Sequence, residues 1–165
     1  MPARSVARLM ALFVFSLGAS SGVAFAQKTS IEDGASSPQS PAEIATRFGL
    51  AGTWSDDCNR PPAQDHIYLV FTVRNGKLFI DRDYGNHKDI ANNQVVAAKA
   101  GPNGTLEVTT YYGSLNPPQT RRNVLEFANG RQRPLVSQNV DTGEYSIKDG
   151  KLSNGAPAPW ITRCR

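Results

Sequence analysis

The chain has 165 residues, with 18 Lys and Arg against 14 Asp and Glu, a formal net charge of +4 and 39% apolar residues. That length is one domain's worth, and the charge excess is small. It carries no nucleic-acid recognition motif, and after the first 26 residues no segment is apolar enough to span a bilayer as a helix, so nucleic-acid binders and helical membrane proteins are set aside.

Met1–Arg8 holds Arg4 and Arg8 and no acid, Leu9–Leu17 is apolar but for Ser16, and Gly18–Ala26 ends in Ala24-Phe25-Ala26. A basic start, a short apolar stretch and a small-x-small ending are what a signal peptidase reads, so residues 1–26 are expected to be a signal peptide cut before Gln27. Two bases and no acid leave with it, lowering the formal charge from +4 to +2. The product is expected in the periplasm or secreted, as two regions. Residues 27–40, rich in Ser, Pro and Gly, form a flexible leader that buries too little to order itself. Residues 41–165 form a single β domain.

Ser40, Pro41 and Glu43 make a capping box with proline at the first helical position, which predicts a short helix with Ile44, Phe48 and Leu50 on its apolar side and Gly49 ending it. Strand patterning then takes over. His66–Val73 places Ile67, Leu69, Phe71 and Val73 on one face, Asn75-Gly76 turns the chain, and Lys77–Ile80 returns. Gln94–Ala98 and Thr105–Tyr112 follow, then a proline-bearing loop at 115–119, then Asn123–Ala128, Asn129-Gly130 and Gln132–Val140, in which Pro134 marks an edge or a bulge. A small hairpin, Tyr145–Lys148 with Lys151-Leu152, precedes a last strand at Trp160–Arg163. Hairpin turns dominate and no βαβ crossover fits. The expected fold is all-β: an antiparallel meander of about eight short strands, rolled into a small up-and-down barrel rather than stacked as a sandwich, with one short N-terminal helix.

Cys58 and Cys164 are the only cysteines. In an exported chain they are expected to form a structural disulfide.

Gly52-Thr53-Trp54, entered from a helix and leading into the first strand, is similar to the Gly-x-Trp opening of lipocalins and other calycins. The resemblance implies a barrel closed at one end by Trp54, with Arg163 from the last strand packed on the indole, both in structural roles. The wider pattern, Gly52 to Cys58 followed by Pro61-Pro62 and closed by Cys164, is similar to small exported proteins of proteobacteria, which implies no particular activity.

Chemistry has few candidates. Asp81, Asp83 and Asp89, with Asn86 and His87 between them, put oxygen donors at alternating positions, a start that a weak Ca²⁺ site would share; Gly85 and Asn92 depart from the EF-hand pattern, and a plain surface loop is the simpler reading. His66 is expected to be an idle rim residue. Asp56 and Asp57 are adjacent and point apart in a strand, while Glu107 and Glu126 read as solvated strand acids, so no catalytic residue is assigned. Arg121-Arg122 and Arg131-Gln132-Arg133 read as a solvated hairpin surface, or else as a patch for an acidic ligand. The aromatic strands predict a solid barrel interior; a narrow lumen would instead admit one small ligand, with Tyr68, Tyr112 and Phe127 as the nominal ligand-facing residues. The functional expectation is a non-enzymatic binding or envelope-associated module for a small apolar or anionic ligand. A protein–protein module, such as an inhibitor of a cell-wall hydrolase acting on an envelope protein, comes second, and a hydrolase third.

Overall fold

A computed structural model describes residues 39–85, the backbone of 88–89, and residues 93–164. The expected signal peptide and nearly all of the leader lie outside them. The chain enters through a helix, α1 (Pro41–Arg47), whose start is set by the Ser40–Glu43 box: the Ser40 hydroxyl accepts from the Glu43 amide at 3.2 Å and the Glu43 carboxylate accepts from the Ser40 amide at 2.7 Å. The strands follow as β1 (Gly52–Ser55), β2 (Tyr68–Arg74), β3 (Lys77–Asp83), β4 (Lys88–Asp89), β5 (Gln94–Ala100), β6 (Leu106–Tyr112), β7 (Gln119–Ala128), β8 (Arg131–Asn139), β9 (Tyr145–Lys148), β10 (Lys151–Leu152) and β11 (Ile161–Cys164).

β1, β2, β3, β5, β6, β7, β8 and β11 pair antiparallel in that order, and β11 returns to β1, so the sheet closes into an eight-stranded up-and-down barrel. Closure leaves those eight strands without a free edge, the solution expected for a meander of this kind. β4 extends β3 as a side pair. β9 and β10 hang from β8: β11 pairs with Arg131 and Gln132 at the start of β8, while β9 pairs with Ser137 and Gln138 further along the same strand. Two hairpins turn on Asn-Gly pairs with both φ angles positive, Asn75 and Gly76 at 50° and 72°, Asn129 and Gly130 at 51° and 71°. Asparagine and glycine tolerate that region, which is why both turns were legible.

Several boundaries move. β3 continues through Asp83 and β7 begins at Gln119, so segments expected as loop supply barrel wall. Pro134 sits at a bulge, where the β7–β8 register shifts between Val124 and Leu125; a residue without an amide hydrogen is tolerated where the ladder is already interrupted.

The helix and the Asn-Gly turns mark one end of the barrel. There α1 packs against β3 and β5, Phe48 meets Phe127 with ring centroids 6.0 Å apart, and Phe127 meets Trp54 edge-on at 6.5 Å. Trp54 is buried and its indole donates to Leu50 O at 2.8 Å. Leu50, Leu78, Val95 and Leu106 fill the space beneath. Cys58 and Cys164 form the expected disulfide, with a sequence separation of 106. A loop that long, closed covalently, stabilises by about 4–5 kcal/mol through the unfolded chain's lost entropy. The bond is compatible with an oxidising compartment. Among the described residues no helix is long and apolar enough to cross a membrane.

Candidate functional site: the barrel lumen

Beyond the packed helix end the barrel is hollow. A cavity of about 420 Å³ runs between the strands toward the opposite end, within the range of small-molecule sites. The expected solid interior is therefore corrected, and the alternation of each strand explains why. Tyr68 and Tyr111 point out of the barrel, as does Phe79, which stacks under the Arg74 guanidinium at 4.2 Å. Facing inward instead are Thr110 on β6, Asn123 on β7, and Gln132, Pro134 and Ser137 on β8. Those side chains are too short to meet across the centre.

The lining divides by position along the barrel. Leu69 and Phe71 on β2, Ile80 on β3, Val108 on β6, Leu125 on β7 and Ile161 on β11 give apolar walls. At the end away from α1, Arg82 near the end of β3, Tyr112 at the end of β6 and Arg121 near the start of β7 converge. The Arg82 guanidinium carbon lies 5.6 Å from the Tyr112 ring centroid. Arg121 donates to Ser146 Oγ on β9 at 2.6 Å. Burial pushes the Tyr112 phenol up from its ordinary value, against the pull of Arg82 and Arg121, which lowers it. The phenol thus stays a neutral donor at physiological pH. Among the described residues no Asp or Glu lines the cavity.

Of the residues singled out by sequence for a ligand, Tyr112 lines this cavity. Tyr68 stands on the outer face, its hydroxyl donating to Arg60 O at 2.7 Å and to Cys58 O at 3.2 Å. Phe127 belongs to the aromatic cluster at the helix end. Arg82 and Arg121 were missed because one was assigned to a loop and the other to a surface pair. Their period-two spacing from Ile80 and from Asn123 and Leu125 was the available signal.

Trp54 and Arg163 are register partners on β1 and β11. The Arg163 guanidinium crosses Gly52 and donates to Ala51 O at 2.7 Å, so it ties the helix–β1 connection to the last strand. Asp81 lies 3.5 Å from Arg74, and Asp83 accepts from the Gly85 amide at 2.9 Å. Asp89 is described only as backbone, opposite Arg82, while Asn86 and His87 lie outside the described residues. Among the described residues no three ligating groups gather as a metal would require.

His66 is not an idle rim residue. The segment 56–66 folds back over the outer face of β1 and buries the ring to 3% exposure. Its Nε2 meets Ser55 Oγ at 2.9 Å and Asp56 Oδ1 at 2.9 Å, and Nδ1 donates to Pro61 O at 2.9 Å. Desolvation opposes ionisation of Asp56, but His66, the Ser55 hydroxyl and nearby amides outweigh it and hold the carboxyl below its ordinary value. Serine, histidine and aspartate are thus together, yet serine and aspartate share one ring nitrogen. A relay needs them on opposite nitrogens with the serine open to substrate, and Ser55 is 1% exposed. The cluster anchors the disulfide-bearing loop.

The eight-stranded antiparallel barrel is consistent with a lipocalin-like architecture, while comparison with protein-family models, with curated proteins and with solved structures finds no match to this chain.

Proposed function

We propose that this protein is a non-enzymatic carrier of the periplasm or extracellular space, a lipocalin-like barrel that takes one small ligand with an apolar body into its lumen. The observation that carries this reading is the cavity of about 420 Å³ behind walls of Leu69, Phe71, Ile80, Val108, Leu125 and Ile161. Burying an aliphatic chain against such walls stabilises a complex by roughly 25 cal/mol per Å² of apolar surface removed from water. The disulfide supports the compartment, and the aromatic cluster at the helix end supports a one-ended container.

Native mass spectrometry of the protein purified from a bacterial periplasm tests the reading. An added mass that survives purification and disappears after mild organic extraction supports it. A bare-chain mass that stays bare with saturating medium-chain acids and alcohols contradicts it.

A further inference from the structure

We infer that the outer wall formed by β8, β9, β10 and the approach to β11 docks on an anionic membrane surface, with Trp160 and Tyr145 at headgroup level and Arg131, Lys148 and Lys151 against the phosphates. This surface lies outside the barrel and does not depend on what the lumen holds.

The basic excess of the chain sits at its C-terminal end. Residues 131–165 hold six Lys and Arg against three Asp and Glu, whereas residues 27–130 hold ten against eleven. Strand alternation turns those cations outward. Gln132, Pro134 and Ser137 line the lumen, so Arg131 and Arg133 face away from it. There they meet Trp160, the two guanidinium carbons lying 5.7 and 4.7 Å from its ring centroid. Lys148 and Lys151 are exposed cross-strand partners in the β9–β10 hairpin, and the Lys148 ammonium stands 5.5 Å from the Tyr145 ring. Like charges directly opposite each other disfavour their pairing, and an anionic surface relieves that cost. Glu126 holds Arg133 at 2.7 Å. Among the described residues Arg131, Lys148 and Lys151 make no ion pair, and Asp149 between the two lysines leaves the hairpin with a cation in excess.

The extent of the strip selects the partner. Arg131 and Trp160 stand at the start of β8, the hairpin turn rests beside its middle through the Gly150 amide and Leu135 O at 2.8 Å, and Tyr145 lies opposite Gln138 near its end. Arg131 to Asn139 covers roughly 26 Å at about 3.3 Å per residue. A small anion meets one of these cations at a time, whereas an array of lipid phosphates meets them together. Tyr145 and Val140, 44% and 52% exposed, extend the strip with apolar surface. An acidic polymer would leave that surface in water, and a bilayer interface takes it up. Trp and Tyr settle at headgroup level, while Lys and Arg beside them reach the phosphates. Each cation brought to an anionic bilayer raises affinity roughly fivefold.

Sedimentation of the protein purified from a bacterial periplasm tests this, with vesicles of phosphatidylcholine alone and of phosphatidylcholine mixed with phosphatidylglycerol. Binding to the mixed vesicles is expected to be at least tenfold tighter and to weaken as salt is raised. The R131Q/K148Q/K151Q variant is expected to lose at least tenfold of that affinity. Trp160 reports the docked face, because Trp54, the other tryptophan, is buried. Emission is expected to shift to the blue on the mixed vesicles and to be quenched by brominated lipid, with both changes absent in W160F. Should the triple variant misfold, the Trp160 signal and the salt dependence of the wild-type protein decide alone. Absence of vesicle binding, equal affinity for the two vesicles, or binding that leaves Trp160 unchanged overturns the proposal. Binding to polygalacturonate with none to vesicles also overturns it, and assigns the strip to an acidic polymer instead.

Discussion

Arg121 on β7 donates to Ser146 on β9 at 2.6 Å, reaching past β8 to a strand that is not its neighbour. The contact exists because β11 covers only the start of β8, leaving the rest of that edge to β9. The irregularity of the sheet thus sets the direction of one of the two cations in the lumen. Ser146→Ala is expected to weaken binding of an anionic amphiphile about three- to tenfold, the net worth of one ordinary hydrogen bond, and to leave a neutral amphiphile unaffected. Titration of the variant with decanoate and decanol checks both.

Gly52 is a backbone requirement. Its φ is +135°, and a Cβ there would stand 2.7 Å from Arg163 Nε. Gly52→Ala is expected to cost about 1–3 kcal/mol in chemical denaturation. Adding Arg163→Ala removes the collision but not the strained dihedral, so the double variant should recover only part of the loss.

His66 lies outside the lumen, which separates stability from binding. Replacing it by alanine empties a buried site and removes the ring's bonds to the Ser55 hydroxyl and the Pro61 carbonyl, an expected loss of about 2–3 kcal/mol. Amphiphile affinity should not change in the fraction that remains folded. An affinity that fell with stability would mean that the loop over β1 reports on the lumen.

Glu107 gives the barrel an acid limb. Hydrogen bonding from Arg122 outweighs desolvation, and with Lys99 and the attraction of both cations it holds the carboxyl below its ordinary value of about 4.5. A lowered folded-state pKa means that the contribution is complete above about pH 4.5 and disappears as pH falls through the lowered value. The effect should be about 1 kcal/mol for a pair network near the surface. Denaturant midpoints measured from about pH 6 down to pH 3 should fall less steeply for Glu107→Gln than for the wild-type protein.

The architecture was written in local signals. Capping residues opened α1, Asn-Gly pairs placed two hairpins, and alternating strands left a meander that had to hide its edges; the barrel and the disulfide follow from those elements. The lumen was not legible, because hollowness depends on which face of each strand turns inward across long separations. Tyr68, Phe79 and Tyr111 look like core residues in sequence and point out, whereas Arg121 and Asn123 look like surface and point in. His66 was misread for a related reason: residues 56–66 show no period, and their folding back onto β1 is set by tertiary contacts at Ser55 and the disulfide.

The central claim, that the lumen takes an aliphatic ligand, is tested most directly by methyl-region NMR during titration with decanoate. The expected result is saturable shift changes concentrated on Leu69, Ile80, Val108, Leu125 and Ile161, with exposed Val96 and Val140 unmoved. Changes confined to the outward methyls, or none at saturating ligand, would contradict it.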